Sequence, residues 1–185
     1  MTEMNENTKK PVTLLERRLA YQGKILKVYD DYVDVGGHRT HWDFIHHMGA
    51  AAVLPVTEDG KIMLVRQYRH ALSRFTLELP AGKLDSPDEP MIECAARELE
   101  EETGYRAGKL TPLLTVNTTV AFCDEKIGIF LAEELQKTAQ HLDEDEDIRV
   151  ELWELPDLYE LIRKGEMTDS KTVSAILAAG PALRK

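Results

Sequence analysis

Three glutamates that lie close together on one predicted helix are the side chains best suited to chemistry. The segment from Pro90 to Gly104 reads PMIECAARELEEETG, and its apolar residues recur at helical spacing. The predicted helix runs to Thr103, and Gly104 is a natural C-terminal stop. Glu98 and Glu102 are four residues apart and therefore lie on one side of the helix, with Glu101 next to them. Like charges at this spacing repel each other, and the helix dipole disfavours anions near its C-terminal end. A bound divalent cation would remove both penalties. Mg²⁺ favours carboxylate oxygens as ligands and usually binds substrate phosphates at the same time.

The helix alone leaves a second interpretation open, a solvated acidic face without function, because glutamate is a good helix former. Its buried side is predicted from Ile92, Ala95, Ala96 and Leu99, which recur at helical period. Cys94 is then expected on the outer side of the helix. The paired glutamates lie at the edge of the predicted apolar face.

Strands and two further helices surround the acidic helix in sequence and must position it. Apolar runs predict strands over Ala50–Val56, Lys61–Tyr68, Phe75–Leu79, Leu113–Ala121, Ile127–Ala132 and Ile148–Leu152. Helices are predicted over Pro156–Lys164 and Ser170–Ala179, with Gly180 beyond the end of the second. Strands interleaved with a few helices favour an α/β or α+β architecture.

The N-terminal part of the chain differs from the rest. Residues 1–11 are predicted to form a disordered tail. Residues 12–47 are predicted to form an antiparallel β arm with a hairpin at Gly36–Gly37. The arm has few large apolar residues, so it must pack on the rest of the chain or on a second copy. Residues 48–185 then form the main domain.

Composition excludes several classes of protein. The 185 residues carry a net charge of −10, so the chain has no general basic surface for nucleic acid or anionic lipid. No apolar run approaches the roughly 20 residues of a membrane-spanning helix, and the polar N-terminus is unlike a secretory signal. Two cysteines are too few for a disulfide framework, which favours a reducing, cytoplasmic location.

A longer pattern contains the acidic helix. Gly82 is followed after six residues by Glu89, and after seven more by the run RELEEETGY from Arg97 to Tyr105. This pattern closely resembles the Nudix box, apart from one extra residue in the turn at residues 85–88, where loops tolerate insertions. The flanking segments FTLELPAGKLD, FCDEKIGIFLA, EDEDIRVELWEL and GEMTDSKTVSAI are similar to the ADP-ribose pyrophosphatase branch of that family.

The resemblance implies an α+β fold, an α/β/α sandwich of Nudix type with a mixed sheet flanked by helices and a small antiparallel N-terminal arm. It implies Mg²⁺-dependent hydrolysis of ADP-ribose to AMP and ribose 5-phosphate, with Mn²⁺ as a substitute, in a homodimer formed through the arm. One departure concerns the substrate, because Val120-Ala121 stands where that branch has a Pro-Gly pair. Another nucleoside diphosphate sugar such as GDP-mannose, or a dinucleoside polyphosphate, therefore remains an alternative substrate. A nucleotide-sensing module without activity is the alternative from a different class, but such a module usually has a broken glutamate set.

The resemblance assigns metal binding to the Nudix box and part of catalysis to an acidic loop later in the chain. The resemblance implies Glu98 and Glu102 as principal metal ligands, helped by Glu101 and by the backbone carbonyl of Ala81. Arg97 is expected to orient these carboxylates, with a simple ion pair as the alternative. The general base is expected on the acidic loop, His141–Asp147, where Glu144 and Glu146 are the candidates and Glu146 is favoured.

Substrate contacts follow from the same mapping. Arg69 matches an arginine that meets phosphate, and Glu78 matches a residue that binds ribose hydroxyls. Arg66 is a weaker candidate, since it points to the opposite side of a regular strand. Trp42 is expected to stack on the base from the partner subunit, with a plain interface or core tryptophan as the alternative.

Overall fold

The computed structural model describes residues 11–142 and 146–183. The chain divides into two compact units. The first runs up to His47 and includes Thr119–Glu125, and the second contains Met48–Thr118 and the chain from Lys126 onward. The predicted tail, residues 1–11, lies outside the described residues except for Pro11.

The first unit is a three-stranded antiparallel sheet in the order β1-β2-β3. Its strands are β1 (Val12–Gln22), β2 (Lys27–Val35) and β3 (His38–His46). The predicted hairpin is confirmed, because Gly36 and Gly37 have φ of 62° and 97°, the left-handed values that a tight hairpin turn needs. The Gly37 N–H donates to the Asp34 carboxylate at 2.6 Å and closes the turn.

This sheet buries little apolar surface of its own. On β1 the large apolar side chains stay exposed, with Leu19 at 47% and Tyr21 at 63%. The side chain of Arg17 bridges the strands, since it pairs with Asp31 at 2.7 Å and lies 4.0 Å from the ring centre of Phe44. The sheet is therefore held by hydrogen bonds and a few polar contacts rather than by a core.

The second unit contains two sheets and three helices. One sheet has the order β7-β4-β9-β8 and is mixed, because β4 and β9 are parallel and the other pairs are antiparallel. The other sheet is antiparallel, in the order β10-β5-β6. The strands are β4 (Ala50–Pro55), β5 (Ile62–Arg69), β6 (Arg74–Glu78), β7 (Ala81–Lys83), β8 (Tyr105–Asn117), β9 (Lys126–Lys137) and β10 (Ile148–Trp153). The helices are α1 (Met91–Thr103), α2 (Leu155–Arg163) and α3 (Ser170–Leu183), with a short 3₁₀ turn at His70–Leu72.

Helices cover both faces of the mixed sheet. On β4, Ala51 and Val53 point to one face, where they pack with buried residues of α1. Ala52 and Leu54 point to the other face and pack with buried residues of α2 and α3. This alternation confirms the predicted α+β sandwich. None of the helices in the described part of the chain has the length and apolar character needed to cross a membrane.

The predicted orientation of α1 is partly wrong. Ile92 is 41% exposed and Ala96 is also exposed, whereas Cys94 is fully buried. The helix turns this side inward because the small Cys94 thiol fits against the backbone of β7, where it lies 3.6 Å from the Gly82 carbonyl oxygen. Burial raises the pKa of Cys94 to about 12, so the thiol stays protonated.

Other element boundaries also differ from the predictions. Strand β8 begins at Tyr105, directly after the helix, rather than at Leu113, and it accommodates Pro112 through an irregularity in its pairing. Strand β7 was not predicted, because its three residues are too few to show the alternation of apolar and polar residues that indicates a strand. Helix α3 does not end before Gly180 but continues through it to Leu183. A Cβ at Gly180 would overlap the Tyr159 hydroxyl, so the glycine serves the close packing of two helices.

Candidate active site

The acidic helix is held at both ends by local features. Pro90 precedes its first turn, and Gly104 ends it with a left-handed φ of 70°. The Gly104 N–H donates to the Glu100 carbonyl at 2.8 Å, which confirms the glycine stop predicted from the sequence. The helix therefore presents its C-terminal half, with all three glutamates, beside β7.

Glu102 is the most deeply buried of the three glutamates, at 4% exposure. Its Oε2 accepts a hydrogen bond from the Ala81 N–H at 3.1 Å. Burial is the main cause that raises the pKa of Glu102 from 4.5 to about 8, and the charges of Glu98 and Glu146 add to the rise. The surroundings of Glu102 therefore disfavour its charged carboxylate form.

Glu98 approaches the backbone of β7 at Gly82. A Cβ on Gly82 would overlap the Glu98 carboxylate, so only glycine leaves room for this side chain. Burial raises the pKa of Glu98 above its ordinary value, although a hydrogen bond from Arg97 opposes the rise. Both principal carboxylates therefore meet the same short strand.

Arg97 connects the helix to the loop before it. Its Nη1 donates to Glu98 at 2.6 Å and to Glu101 at 3.0 Å. Its Nε lies 3.4 Å from both Glu89 and Asp85. One guanidinium thus contacts four carboxylates, an arrangement suited to the orienting role predicted for Arg97.

A cavity of about 290 Å³ opens in front of these groups. Its lining residues are Ala81, Gly82, Lys83, Asp85, Arg97, Glu98, Glu101, Glu102, His141 and Glu146. The start of the acidic loop is tied to α1, because the Gln140 side chain donates to the Glu102 carbonyl at 2.6 Å. The structure therefore brings Glu146 together with the box carboxylates, whereas Glu144 lies outside the described residues.

The carboxylate oxygens that line this cavity are chemically suited to bind a divalent cation. Within residues 11–142 and 146–183, no three His, Cys, Asp or Glu side chains are already grouped as a ligand cluster. Arg97 holds Glu98 and the Ala81 amide holds Glu102 instead. Nevertheless, the buried Glu102 and the half-buried Glu98, both with raised pKa values, face one cavity, and hard oxygen donors of this kind are what Mg²⁺ prefers.

Arg69 and Glu78 form a bidentate ion pair, with distances of 2.8 and 2.7 Å. Glu78 also accepts hydrogen bonds from Thr76 at 2.6 Å and from Lys171 at 2.5 Å. Burial alone would raise the pKa of Glu78, but hydrogen bonds from Arg69 and the charge of Lys171 lower it to about 2. Because protein donors occupy both oxygens, this geometry does not favour the predicted contact of Glu78 with ribose hydroxyls.

The remaining two candidates lie elsewhere. Arg66 is outside the acidic cavity and pairs with Glu151 at 2.5 Å, beside a separate cleft of about 250 Å³ that also contains Trp153. Trp42 belongs to the first unit, is 48% exposed, and lines an apolar depression there with Phe122. The roles of both residues in substrate binding stay predictions.

Sequence reasoning predicted Asp169 or Ser170 as the cap of α3 but missed the buried Lys171 beside it. Asp169 caps this helix by accepting the Thr172 N–H at 3.1 Å, and Lys171 is buried at 7% exposure. A signal was present in the segment TDSKT, where a capping aspartate is followed by a lysine in the first turn of an apolar helix.

Comparison with known proteins agrees with this geometry. A model of the NUDIX domain matches residues 46–175. The chain is 43% identical over 159 residues to an ADP-ribose pyrophosphatase of Bacillus subtilis, covering 84% of this chain and 85% of that protein. It is 36% identical over 159 residues to a methanol dehydrogenase activator of Bacillus methanolicus, with the same coverage of 84% and 85%.

Two further similarities extend the comparison. An ADP-ribose pyrophosphatase of Mycobacterium tuberculosis is 32% identical over 163 residues, covering 85% of this chain and 78% of that protein. A crystal structure of an ADP compounds hydrolase superposes with a TM-score of 0.84 over 96% of both chains at 23% identity, which supports the fold. From the matched domain and these relatives, the chain belongs to the Nudix family and is a Nudix hydrolase.

Proposed function

We propose that this hydrolase splits the diphosphate bond of ADP-ribose into AMP and ribose 5-phosphate, with Mg²⁺ as its cofactor. The observation that carries the proposal is the acidic cavity, where the half-buried Glu98 and the buried Glu102 have raised pKa values. The names of two relatives, ADP-ribose pyrophosphatases at 43% and 32% identity, support the choice of substrate.

Nudix hydrolases generally use divalent metal ions. In this chain Glu98 and Glu102 would hold Mg²⁺, with Glu101 and the Ala81 carbonyl as further ligands. When bound, the ion neutralises charge on the diphosphate oxygens and lowers the pKa of a coordinated water. The depth of Glu102, at 4% exposure, supports this role, since an unpaired carboxylate there is costly.

The general base in the proposal is Glu146, which accepts a proton from the attacking water. Its support is position, since Glu146 lines the same cavity and its charge acts on both Glu98 and Glu102. Glu144 is the alternative base on the same loop. Arg97 fixes the carboxylates in place while the proton moves.

On the substrate side, Arg69 contacts a phosphate group and Trp42 stacks on the base from a partner subunit. Support for a homodimer comes from the exposed apolar side chains of β1, among them Leu14 at 49% and Leu15 at 45%. We also propose that the protein is located in the cytoplasm.

GDP-mannose is the second candidate substrate. The observation that favours it is Val120-Ala121, which replaces the Pro-Gly pair expected for ADP-ribose pyrophosphatases. Because the reaction is unchanged, only the recognition of base and sugar separates the two candidates.

A turnover panel with Mg²⁺ over ADP-ribose, ADP-glucose, GDP-mannose and a diadenosine polyphosphate tests the proposal. We expect kcat/KM to be highest for ADP-ribose by about tenfold or more, roughly 1.4 kcal/mol of discrimination. Glu98→Gln should abolish turnover, whereas Glu93→Gln, an exposed glutamate in the first turn of the same helix, should leave it unchanged. A higher kcat/KM for GDP-mannose, or equal rates for both variants, would contradict the proposal.

A further inference from the structure

A buried lysine connects helix α3 to the strand that carries Glu78. The side chains of Lys171 and Glu78 are only 9% and 4% exposed, and their charged atoms lie 2.5 Å apart. Lys171 also lies 3.0 Å from Asp169, the capping residue of α3. Two carboxylates and two cations, the second being Arg69, thus form one cluster, in which Glu78 and Lys171 are 93 residues apart in sequence.

Anchoring α3 does not explain this lysine. Asp169 caps the helix through the Thr172 N–H, and the Thr172 hydroxyl in turn accepts the Leu79 N–H at 2.8 Å. The first contact ends the helix and the second joins α3 to the segment after β6, and neither uses the ammonium group. Taking an ammonium ion out of water is costly unless it is well paired, so the charge of Lys171 calls for a separate explanation.

That explanation lies in how Glu78 is neutralised. Its carboxylate is shared between Lys171, which is buried, and Arg69, whose side chain is 41% exposed. Hydrogen bonding to Glu78 is the main cause that raises the pKa of Arg69, and the charge of Glu102 adds to it. The charge of Arg69 therefore acts on Glu102, which lines the acidic cavity.

We propose that Lys171 is a positioning residue that neutralises part of the Glu78 charge, so that Arg69 keeps positive charge for a substrate phosphate. Without the lysine, Glu78 would be balanced by the arginine alone. The pair would then act as a neutral dipole toward an anionic ligand. This inference rests on the proposed function, because it concerns the binding of a nucleoside diphosphate sugar in the same site.

A double-mutant cycle in the full chain tests the inference with ADP-ribose. Lys171→Met should raise KM about tenfold, equivalent to about 1.4 kcal/mol, while kcat changes less than about threefold. In a Glu78→Gln background, where no charge needs neutralising, the same lysine change should alter KM less than about twofold. Lys164→Met, which removes an exposed lysine at the end of α2, is the matched control and should leave KM unchanged.

Several results would overturn the inference. These are an unchanged KM in Lys171→Met, a fall confined to kcat, or an equal rise of KM in both backgrounds. If Lys171→Met alone does not fold, the comparison of Glu78→Gln with the double variant decides, since the proposal requires equal KM values there. A wild type that binds ADP-ribose by calorimetry without cleaving it would refute the proposed function only, and the same cycle would then be measured on affinity. Absence of binding would overturn both.

Discussion

The strongest prediction concerns the stability of the metal-free protein when Glu102 is replaced by glutamine. The substitution keeps the size of the side chain and an oxygen that can accept the Ala81 N–H. It removes a carboxyl group that is 4% exposed and whose pKa is raised from 4.5 to about 8, mainly by burial. The variant should therefore differ from the wild type in how stability depends on pH.

The sign follows from proton linkage. The folded state holds the Glu102 proton more tightly than the unfolded state, so its contribution to stability is complete below pH 4.5 and is lost as pH rises to about 8. Each pH unit in the middle of this window costs about 1.4 kcal/mol, and the slope is smaller near either pKa. The wild type should therefore lose about 3.5 kcal/mol relative to the variant between about pH 5 and pH 8. For a chain of this length, that loss corresponds to roughly 7 to 14 °C in Tm.

Calorimetric melting in EDTA at several pH values measures the difference directly. The Tm of the wild type should fall relative to that of Glu102→Gln as pH increases, and Mg²⁺ at about pH 8 should restore the Tm of the wild type only. Glu93→Gln, on the exposed first turn, should follow the wild type at every pH. Parallel melting curves for wild type and Glu102→Gln across the range would refute the electrostatic account of the helix.

Three other predictions concern the site and the assembly. Gly82→Ala should reduce kcat about 100-fold or more, because the new methyl group overlaps the Glu98 carboxylate, and steady-state kinetics on folded protein would show it. Glu146→Gln should lower kcat by about 100-fold or more and Glu144→Gln by less than tenfold, with kcat measured across the pH range for both variants. A larger loss of kcat in Glu144→Gln than in Glu146→Gln would assign the base to Glu144. Light scattering at micromolar concentration should give twice the mass of one chain, and a monomer would contradict the proposed role of the arm.

Local features of the sequence predicted the framework of the site well. Gly104 ends α1 and Gly36–Gly37 turns the hairpin because both need left-handed φ, a requirement set within a few residues. The pair Glu98 and Glu102 was recognised for the same reason, since their spacing on a helix depends only on helical period.

Features decided by packing were harder to predict. Periodicity placed Cys94 outside, but contact with the backbone of β7 turns it inward. Strand β8 was missed at its start because pairing with β9 carries it past Pro112 despite its low strand propensity. The pairing of Glu78 with Lys171 spans 93 residues, and no local pattern specifies such a contact.

The central claim is that Glu98 and Glu102 hold a divalent cation that hydrolysis of the diphosphate requires. The most direct measurement is a calorimetric Mn²⁺ titration of the wild type, Glu98→Gln and Glu102→Gln, with the rate of AMP release from ADP-ribose followed at the same metal concentrations. The wild type should bind Mn²⁺ and gain turnover in proportion to occupancy, while both variants lose binding and rate together. Turnover that persists in EDTA, or variants that bind Mn²⁺ as tightly as the wild type, would contradict the claim.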